Sequence, residues 1–272
     1  IKMKKKPIRL GISGALGRMG KTLIKEITKE KNVILNTAIV RKKNIFVQKD
    51  IGEIINIGAI GIKISTSLEE EIDNFDVLID FSTPNNTMEN LNICAKYKKN
   101  IVIGTTGFNQ IEKNNIQSIS NKIGIILSTN FSIGINIILK LLEITTHAIS
   151  NDTDIEIIES HHRNKIDAPS GTALTLGETI AKTMKWNLDS NSLYRKKGLI
   201  GKREKQKIGF SMIRAGDIVG EHTVIFANTG ERLEISHKAS NRIPFSQGAI
   251  QAAIWLYTKK TGLFNMQDVL NI

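Results

Sequence analysis

A short apolar run, a glycine-rich turn and an amphipathic segment follow one another near the start of the chain. Residues 8–12 are apolar except for Arg9, residues 13–20 read SGALGRMG, and residues 22–27 carry apolar side chains at helical spacing. This order predicts a strand, a tight turn and a helix. Gly14 and Gly17 would let a phosphate approach the backbone at a helix N-terminus, where Arg18 adds a cation. The strict G-x-G-x-x-G spacing is absent, so a purely structural turn is an equally good interpretation of this loop alone.

Apolar strands and a helical segment continue beyond the turn. Small polar residues follow several of the strands, and because the carboxyl ends of parallel strands share one edge of a sheet, we expect a cofactor there. Predicted strands cover residues 32–40, 75–81, 100–103 and 123–127, a helical segment covers 86–98, and the polar strand ends are 82–84, 104–107 and 128–130.

The second half of the chain changes character after a long amphipathic stretch. The last three of its strands alternate apolar and polar residues and are separated by turn residues, which indicates antiparallel pairing. The helical patterns cover 133–149, 172–184 and 245–259, the strand patterns cover 153–160, 207–214, 219–227 and 232–237, and a lysine-rich connection covers 186–206.

With 272 residues, the chain is long enough for two domains. We predict an α/β fold in which a Rossmann-like parallel-sheet domain spans residues 1–130 and is completed by 241–272. Residues 131–240 would form an α+β domain for substrate binding and oligomerisation, with a mainly antiparallel sheet.

Composition argues against several classes of function. The net charge of +12 is spread over the chain, and the basic runs at 4–6, 41–43 and 195–197 lack interleaved aromatics, so we expect a solvated surface and no nucleic-acid partner. No apolar run is long enough for a membrane span and no export signal follows the basic start, which predicts a cytoplasmic protein. The single cysteine, Cys94, is expected to be a buried inert thiol.

The residues at the end of the second predicted strand indicate which nicotinamide cofactor the domain would prefer. A dinucleotide fold contacts the adenosine ribose about 20 residues past its glycine loop, where an acidic residue favours NAD. This chain instead offers Val40 followed by the basic residues 41–43. A basic cluster suits a 2′-phosphate, so NADPH is preferred to NADH, although a merely basic loop would look the same.

The most chemically concentrated stretch is residues 161–173, which read HHRNKIDAPSGTA between a predicted strand and a predicted helix. Adjacent histidines in an extended segment point to opposite faces and no cysteine or clustered acid completes a ligand set, so we predict no metal. The sequence around Ser170 is not a nucleophile elbow. A histidine, an ammonium group and a helix N-terminus with the Thr172 hydroxyl suit acid–base chemistry on a substrate that carries carboxylates.

Residues 159–173, ESHHRNKIDAPSGTA, closely resemble the signature of the dihydrodipicolinate reductase family. Further blocks resemble that family in its order along almost the whole chain. These blocks are GALGRMG at 14–20, VIGTTG at 102–107, NFSIGI at 130–135, IRAGDIVGEH at 213–222 and ISHKAS at 235–240.

The resemblance implies a homotetrameric enzyme that uses NADPH or NADH to reduce 4-hydroxy-tetrahydrodipicolinate to tetrahydrodipicolinate in lysine and diaminopimelate biosynthesis. It implies proton exchange by His161, proton donation by Lys165, and substrate binding by His162, Gly171, Thr172 and Thr106. The cofactor-binding residues that it implies are Gly14, Ala15, Leu16, Gly17, Arg18, Met19, Val40, Arg41, Gly104, Thr105, Thr106, Ser128, Thr129, Asn130 and Phe131.

Two positions depart from the family pattern. Several members have an acid where Val40 stands, and some have an arginine where Thr83 stands.

Outside the signature, His147, His222 and His237 are interpreted as structural, while Arg242 is a cofactor-side candidate. Two other functions remain as alternatives: a nucleotide-sensing regulator built on a Rossmann domain, and another two-domain dehydrogenase that acts on amino acids.

Overall fold

The computed structural model describes residues 6–149, 152–194, 198 and 201–272. Two compact units are present, one comprising Ile1–Ile133 with Ile243–Asn271 and the other comprising Gly134–Arg242. The basic run at 195–197 lies outside the described residues, as does the run at 4–6 except for Lys6. Among the described helices, none combines the length and the apolar character that crossing a membrane requires.

The first unit contains a sheet of seven parallel strands, in agreement with the predicted Rossmann-like domain. The order is β12-β6-β5-β4-β1-β2-β3, so the direction of winding reverses between the first and the fourth strand. Loops at such a reversal form the crevice where nucleotides bind in doubly wound folds. The strands are β1 Ile8–Ser13, β2 Val33–Ile39, β3 Ile64–Ser65, β4 Val77–Asp80, β5 Asn100–Ile103, β6 Gly124–Leu127 and β12 Gly262–Phe264.

Helices cover both faces of this sheet because alternate residues of its buried strands point to opposite sides. Ile79 of β4 belongs to one core with Leu23 and Leu256, whereas the adjacent Leu78 belongs to the other core with Leu91. The helices are α1 Arg18–Ile27, α2 Ile51–Ile54, α3 Pro84–Lys96, α4 Gln110–Ile119, α8 Ile243–Tyr257 and α9 Met266–Leu270, with a short 3-10 helix at Ile72–Asn74. The eighth helix, expected to return to the first domain, packs against α1, β4 and β5.

Several elements of the first unit were not predicted from the sequence. Strands β3 and β12 have two and three residues, too few to show an alternating pattern. Helix α4 buries only Ile116 and Ile119, so its apolar stripe is narrow, although a capping box between Asn109 and Glu112 marks its start.

The second unit contains a five-stranded sheet of mixed direction, with the order β11-β10-β7-β9-β8. Strand β10 is antiparallel to β7 and β11, whereas β7, β9 and β8 run parallel. The pairing implied by the turn between β9 and β10 is wrong, because β7 lies between them. Alternation identifies the buried face of a strand but not its neighbours, and the largely buried β7 takes a partner on each side. The strands are β7 Asp154–His161, β8 Ser192–Tyr194, β9 Ile208–Arg214, β10 Gly220–Asn228 and β11 Glu231–Ala239.

One face of this sheet packs against two helices. Ile157, Phe210 and Val224 join Leu142 and Leu176 in a single buried cluster. The helices of this unit are α5 Ile133–Ala148, α6 Gly171–Met184 and the short α7 Leu188–Asn191. Helix α6 follows β7 after a loop of residues 162–170, so the signature stretch connects a central strand to a helix on the covered face.

Candidate active site

The turn after β1 is held in a conformation that only glycine tolerates. The Gly14 N–H donates to Ile39 O at 3.1 Å, and the Gly17 N–H donates to Gly14 O at 2.9 Å. Gly14 has a φ of +80°, and a Cβ on it would lie 2.5 Å from Phe81 O. A Cβ on Gly20 would lie 2.3 Å from Gly14 O. The turn therefore forms a bare backbone cradle at the start of α1, which is the arrangement that suits a phosphate.

A cavity of about 540 Å³ adjoins this turn, a volume in the range of small-molecule sites. It is lined by residues that follow β1, β2 and β4 and by the first turns of α3. Of the predicted cofactor residues, Gly14, Leu16, Gly17, Val40 and Arg41 line it; further lining residues are Ser13, Asn44, Phe81, Ser82, Thr83, Asn85, Asn86 and Glu89.

The remaining predicted cofactor residues occupy different positions in the first unit. Ala15 is fully buried and Arg18 is exposed, while Val40, although it borders the cavity, is only 7% exposed and belongs to the core. Met19 is half-buried on α1. Gly104, Thr105 and Thr106 follow β5, and Ser128, Thr129, Asn130 and Phe131 follow β6, on the two strands beyond β4 in the sheet order.

A buried polar network supports these strand ends and was not predicted from the sequence. The Asp80 carboxyl group accepts hydrogen bonds from the Ser82 N–H and the Asn90 side chain, both at 2.9 Å. Asn90 also donates to Ser13 Oγ at 2.9 Å, and the Ser82 N–H lies 3.0 Å from Thr105 Oγ1. Burial raises the pKa of Asp80. The network connects the ends of β1, β4 and β5, and its signal in the sequence was an acid at the end of an apolar strand.

In the second unit, His161 is the last residue of β7 and is 8% exposed. Glu159 lies two residues earlier, on the same face of the strand, and its Oε2 contacts His161 Nδ1. Arg214 donates to Glu159 Oε2 at 2.9 Å and to Oε1 at 2.7 Å. Burial raises the pKa of Glu159, but the hydrogen bonds from His161 and Arg214 outweigh it and lower the value to about 2. Glu159 is therefore an ionised acceptor at neutral pH.

The loop after His161 carries the predicted proton donor. Lys165 Nζ lies 2.8 Å from Asp167 Oδ1, and its side chain is 21% exposed. The Asp167 carbonyl accepts a hydrogen bond from Arg214 at 2.7 Å, so the same guanidinium that contacts Glu159 also holds this loop. His162 is half-buried. The loop thus presents an ammonium group whose position is fixed by an ion pair.

Helix α6 begins where the predicted carboxylate-binding residues stand. Ser170 is its N-cap: Ser170 Oγ accepts from the Ala173 N–H at 3.2 Å, and the Ser170 N–H donates to Glu159 Oε1 at 3.1 Å. Gly171 is exposed and has open space where a Cβ would stand. The first N–H groups of a helix lack intrahelical partners and favour anions, so Gly171 and Thr172 lie at a site suited to a carboxylate.

His222, which the sequence suggested to be structural, lies beside this cluster. Its Nε2 lies 3.2 Å from Ser170 Oγ, and its ring packs edge-on against that of His161 with 5.2 Å between centroids. Burial lowers the pKa of His222 to about 4. His222 is therefore neutral at pH 7, and its Nε2 shares a hydrogen bond with the Ser170 hydroxyl group.

Glu159, His161 and His222 also offer potential metal-ligand atoms within 4.8 Å of one another. The expectation that no acid lies beside these histidines is wrong, because Glu159 shares the buried face of His161. Its two oxygens already accept hydrogen bonds from Arg214, a permanent cation, and a second cation beside the same carboxylate would be repelled. The donor set does not fit a resident metal.

Models of the N-terminal and C-terminal parts of dihydrodipicolinate reductase match residues 8–131 and 134–270. The chain belongs to the dihydrodipicolinate reductase family. It is 56% identical to the 4-hydroxy-tetrahydrodipicolinate reductase of Buchnera aphidicola subsp. Baizongia pistaciae, over 99% of this chain and 100% of that protein. Dihydrodipicolinate reductase family members are pyridine-nucleotide-dependent oxidoreductases, which confirms the predicted enzyme class.

Solved structures agree with this assignment. Dipicolinate-bound dihydrodipicolinate reductase from Paenisporosarcina sp. TG-14 matches with a TM-score of 0.77 and 25% identity, over 97% of this chain and 99% of that chain. An amine dehydrogenase from Mycobacterium smegmatis matches with a TM-score of 0.62 and 11% identity, over 96% of each chain, which shows a shared fold only. The predicted fold class is confirmed.

Proposed function

We propose that this chain reduces 4-hydroxy-tetrahydrodipicolinate to tetrahydrodipicolinate with a nicotinamide cofactor, on the diaminopimelate route to lysine. Relatives more than half identical to it over nearly their full length carry the name of that reductase. The observation that supports the proposal most directly is the arrangement at residues 161–172. There a buried histidine, an ammonium group and a helix N-terminus follow one another on a single strand–loop–helix unit.

Different residues of this unit would perform different steps of the reaction. Elimination of water takes the hydroxyl group from one ring carbon and a proton from its neighbour, which leaves a double bond between them. Hydride then adds to the carbon that carried the hydroxyl group, and a proton returns to the neighbouring carbon. A bound nicotinamide would supply the hydride. Lys165 donates the proton to the neighbouring ring carbon, and His161 exchanges protons at Nε2 because Nδ1 is engaged by Glu159.

The dicarboxylate is held by the start of α6 and by the cations around it. Gly171 and Thr172 form the first turn of α6, where the positive end of the helix dipole favours an anion, and His162 lies at the start of the preceding loop. We propose that planar dicarboxylates such as dipicolinate, the ligand of the Paenisporosarcina relative, bind this chain at the same place.

The cofactor fits the first unit, because the Gly14 turn has no room for side chains and adjoins the cavity. Gly14 through Met19 would hold the pyrophosphate, and Arg41 would contact the ribose phosphate of NADPH. The loops at 104–106 and 128–131 would hold the nicotinamide half. NADPH is the proposed preference because the cavity wall offers Arg41 and no acid at position 40.

Activity is tested by following NADPH oxidation with freshly generated substrate. We expect His161→Ala and Lys165→Ala each to lower kcat at least about 100-fold, the usual contribution of a positioned acid or base, with NADPH affinity unchanged in a fluorescence titration. His147→Ala, an exposed histidine on α5, is the matched control and should retain activity. Loss of NADPH affinity with unchanged turnover of the bound complex would contradict the assigned roles.

We also propose that the chain forms the homotetramer that its family implies. Strand alternation directs Ile158, Ile213 and Ile225 to the sheet face opposite the helical core, and Ile213 is 47% exposed. A second copy would cover these side chains. Light scattering should give four times the mass of the 30.2 kDa chain, and Ile213→Asp should lower it. A monomeric wild-type protein would contradict this proposal.

A cytoplasmic location stays a prediction. No observation favours the regulator or the amino-acid dehydrogenase. Salt-dependent DNA binding without NADPH oxidation would support the regulator instead.

A further inference from the structure

We infer that Glu159 is a positioning residue that fixes the proton-exchanging His161 and the carboxylate-binding start of α6 at the same time. The inference rests on the proposed function for the roles of His161 and α6. Its structural basis is the convergence of three donors on one buried carboxylate. His161 Nδ1 and Arg214 approach Oε2, while Arg214 and the Ser170 N–H approach Oε1.

The hydrogen bond to His161 determines which ring nitrogen carries the proton. An ionised carboxylate only accepts hydrogen bonds, so His161 Nδ1 must be the donor. With the Nδ1 proton directed at Glu159, Nε2 is the ring nitrogen left to exchange a proton with the reaction. Gly220 lies beside that nitrogen, and a Cβ on it would stand 3.2 Å from Nε2. The absence of a side chain at residue 220 leaves Nε2 uncrowded on that side.

The same carboxylate also accepts a hydrogen bond from Ser170, the N-cap of α6. The Ser170 N–H donates to Oε1 at 3.1 Å, and Ser170 Oγ caps the Ala173 N–H and shares a hydrogen bond with His222 Nε2. Both the backbone N–H and the side-chain hydroxyl group of Ser170 therefore have hydrogen-bond partners. A change at Glu159 would release the N-cap of α6 together with the imidazole.

Arg214 makes this arrangement stable in a buried place. Glu159 is only 1% exposed, and Arg214 provides the positive charge that keeps it ionised. The titratable groups around His161 are Glu159 on its own strand, Arg214 on β9, His222 on β10, His237 on β11, and Lys165 and Asp167 on the loop. Of these side chains, Glu159 is the one that bonds to Nδ1.

The test compares Glu159→Gln with Glu156→Gln. Both residues lie on β7 and both carboxylates pair with an arginine, since Glu156 contacts Arg203, but only Glu159 touches His161. For Glu159→Gln we expect kcat to fall at least about tenfold, because loss of a carboxylate that sets a histidine tautomer is costly in hydrolase triads. The dissociation constant of dipicolinate should rise, and that of NADPH should stay the same. Glu156→Gln should keep both kcat and dipicolinate affinity.

A spectroscopic measurement separates positioning from a merely structural role. In protein labelled with ¹⁵N-histidine, the His161 signals, assigned by their loss in His161→Ala, should report a proton on Nδ1 in the wild type and in Glu156→Gln. They should lose that signature in Glu159→Gln. Unchanged kcat and an unchanged His161 tautomer in Glu159→Gln would overturn the inference.

The wild-type spectrum also provides a test that needs no folded variant, because a proton on Nε2 with Nδ1 bare at neutral pH would overturn the inference on its own. It is also independent of the proposed reaction. If the wild-type protein failed to reduce the substrate, the proposed function would fail while the tautomer result still decided the role of Glu159.

Discussion

Arg214 donates hydrogen bonds to both oxygens of the Glu159 carboxylate, at 2.9 Å to Oε2 and 2.7 Å to Oε1. The two residues come from parallel neighbouring strands, and Arg214 stands in register with His161. A planar guanidinium satisfies both oxygens of a carboxylate at once, which a lysine ammonium does not. The pair therefore holds a buried charge next to the residue that is proposed to exchange protons.

Arg214→Lys should destabilise the protein and slow the reaction. Lysine keeps the charge but cannot bond both Glu159 oxygens as the guanidinium does, and loss of a hydrogen bond to a charged group costs about 2 kcal/mol. The lysine would also lose the hydrogen bond to the Asp167 carbonyl. Arg203→Lys is the control, because Arg203 contacts Glu156 on the same strand. Urea unfolding should show a loss of stability in both variants, whereas kcat should fall only in Arg214→Lys. An equal loss of kcat in both would point to a general effect of stability.

Arg41→Ala should reduce the preference for NADPH. Arg41 lines the cavity beside Val40, and loss of a charged hydrogen bond to a phosphate is worth about 2 kcal/mol, or roughly 30-fold in kcat/KM with NADPH. The value with NADH should hardly change. Lys113→Ala on α4 removes an equal charge outside the cavity lining and controls for the general field. Val40→Glu should shift selectivity further toward NADH. An unaltered ratio of kcat/KM with NADPH to kcat/KM with NADH in both Arg41→Ala and Val40→Glu would refute the proposal that residues 40 and 41 contact the adenosine ribose.

Gly14→Ala should weaken cofactor binding, and a matched substitution at a second glycine tests whether steric clash is the reason. Gly14 and Gly58 have φ values of +80° and +82°, but a Cβ on Gly14 meets Phe81 O at 2.5 Å whereas a Cβ on Gly58 meets nothing within 4 Å. Gly58→Ala should therefore cost only the strain of a left-handed residue, about 1 kcal/mol. Gly14→Ala should cost more and should weaken NADPH binding. The measurements are thermal unfolding and fluorescence titration, and equal effects would contradict the steric explanation.

His222 should make the protein less stable in mild acid. Its pKa is lowered from 6.5 to about 4 in the folded state, so the unfolded chain takes up the proton first. Stability then falls as the pH drops from 6.5 to 4, by about 3 kcal/mol for this group, and levels off below. His237, whose pKa burial also lowers, adds to this slope. Glu159 acts in a separate window, because its lowered pKa removes stability as the pH falls from 4.5 to about 2.

Chemical denaturation of wild type and His222→Gln between pH 7 and pH 4 checks this prediction. The variant should show a shallower loss of stability, with a residual slope from His237. Identical slopes in the two proteins would mean that His222 does not titrate as described.

Much of the first unit was predictable because its strands are nearly continuous apolar runs that end in glycine or small polar residues. β1, β2, β4, β5 and β6 lie within or close to their predicted ranges. The two- and three-residue strands β3 and β12 were not predicted, since their pairing with β2 and β6 is decided by the sheet rather than by a local sequence pattern.

The reactive groups of the candidate site were recognisable from the sequence, but their connections were not. His161, Lys165 and Thr172 stand in one short stretch with the N-cap Ser170, and the periodicity of a strand already places Glu159 on the face of His161. Those features depend on residues a few positions apart.

Arg214 and His222 reach Glu159 and Ser170 from more than fifty residues away along the chain. Their contacts exist because β7 lies between β9 and β10. Local periodicity shows which face of a strand is buried but carries no information on which strand lies beside it. The chain by itself therefore determined the strand–turn–helix units and the residues able to exchange protons. Only the order of strands in the second sheet decided which charges surround them.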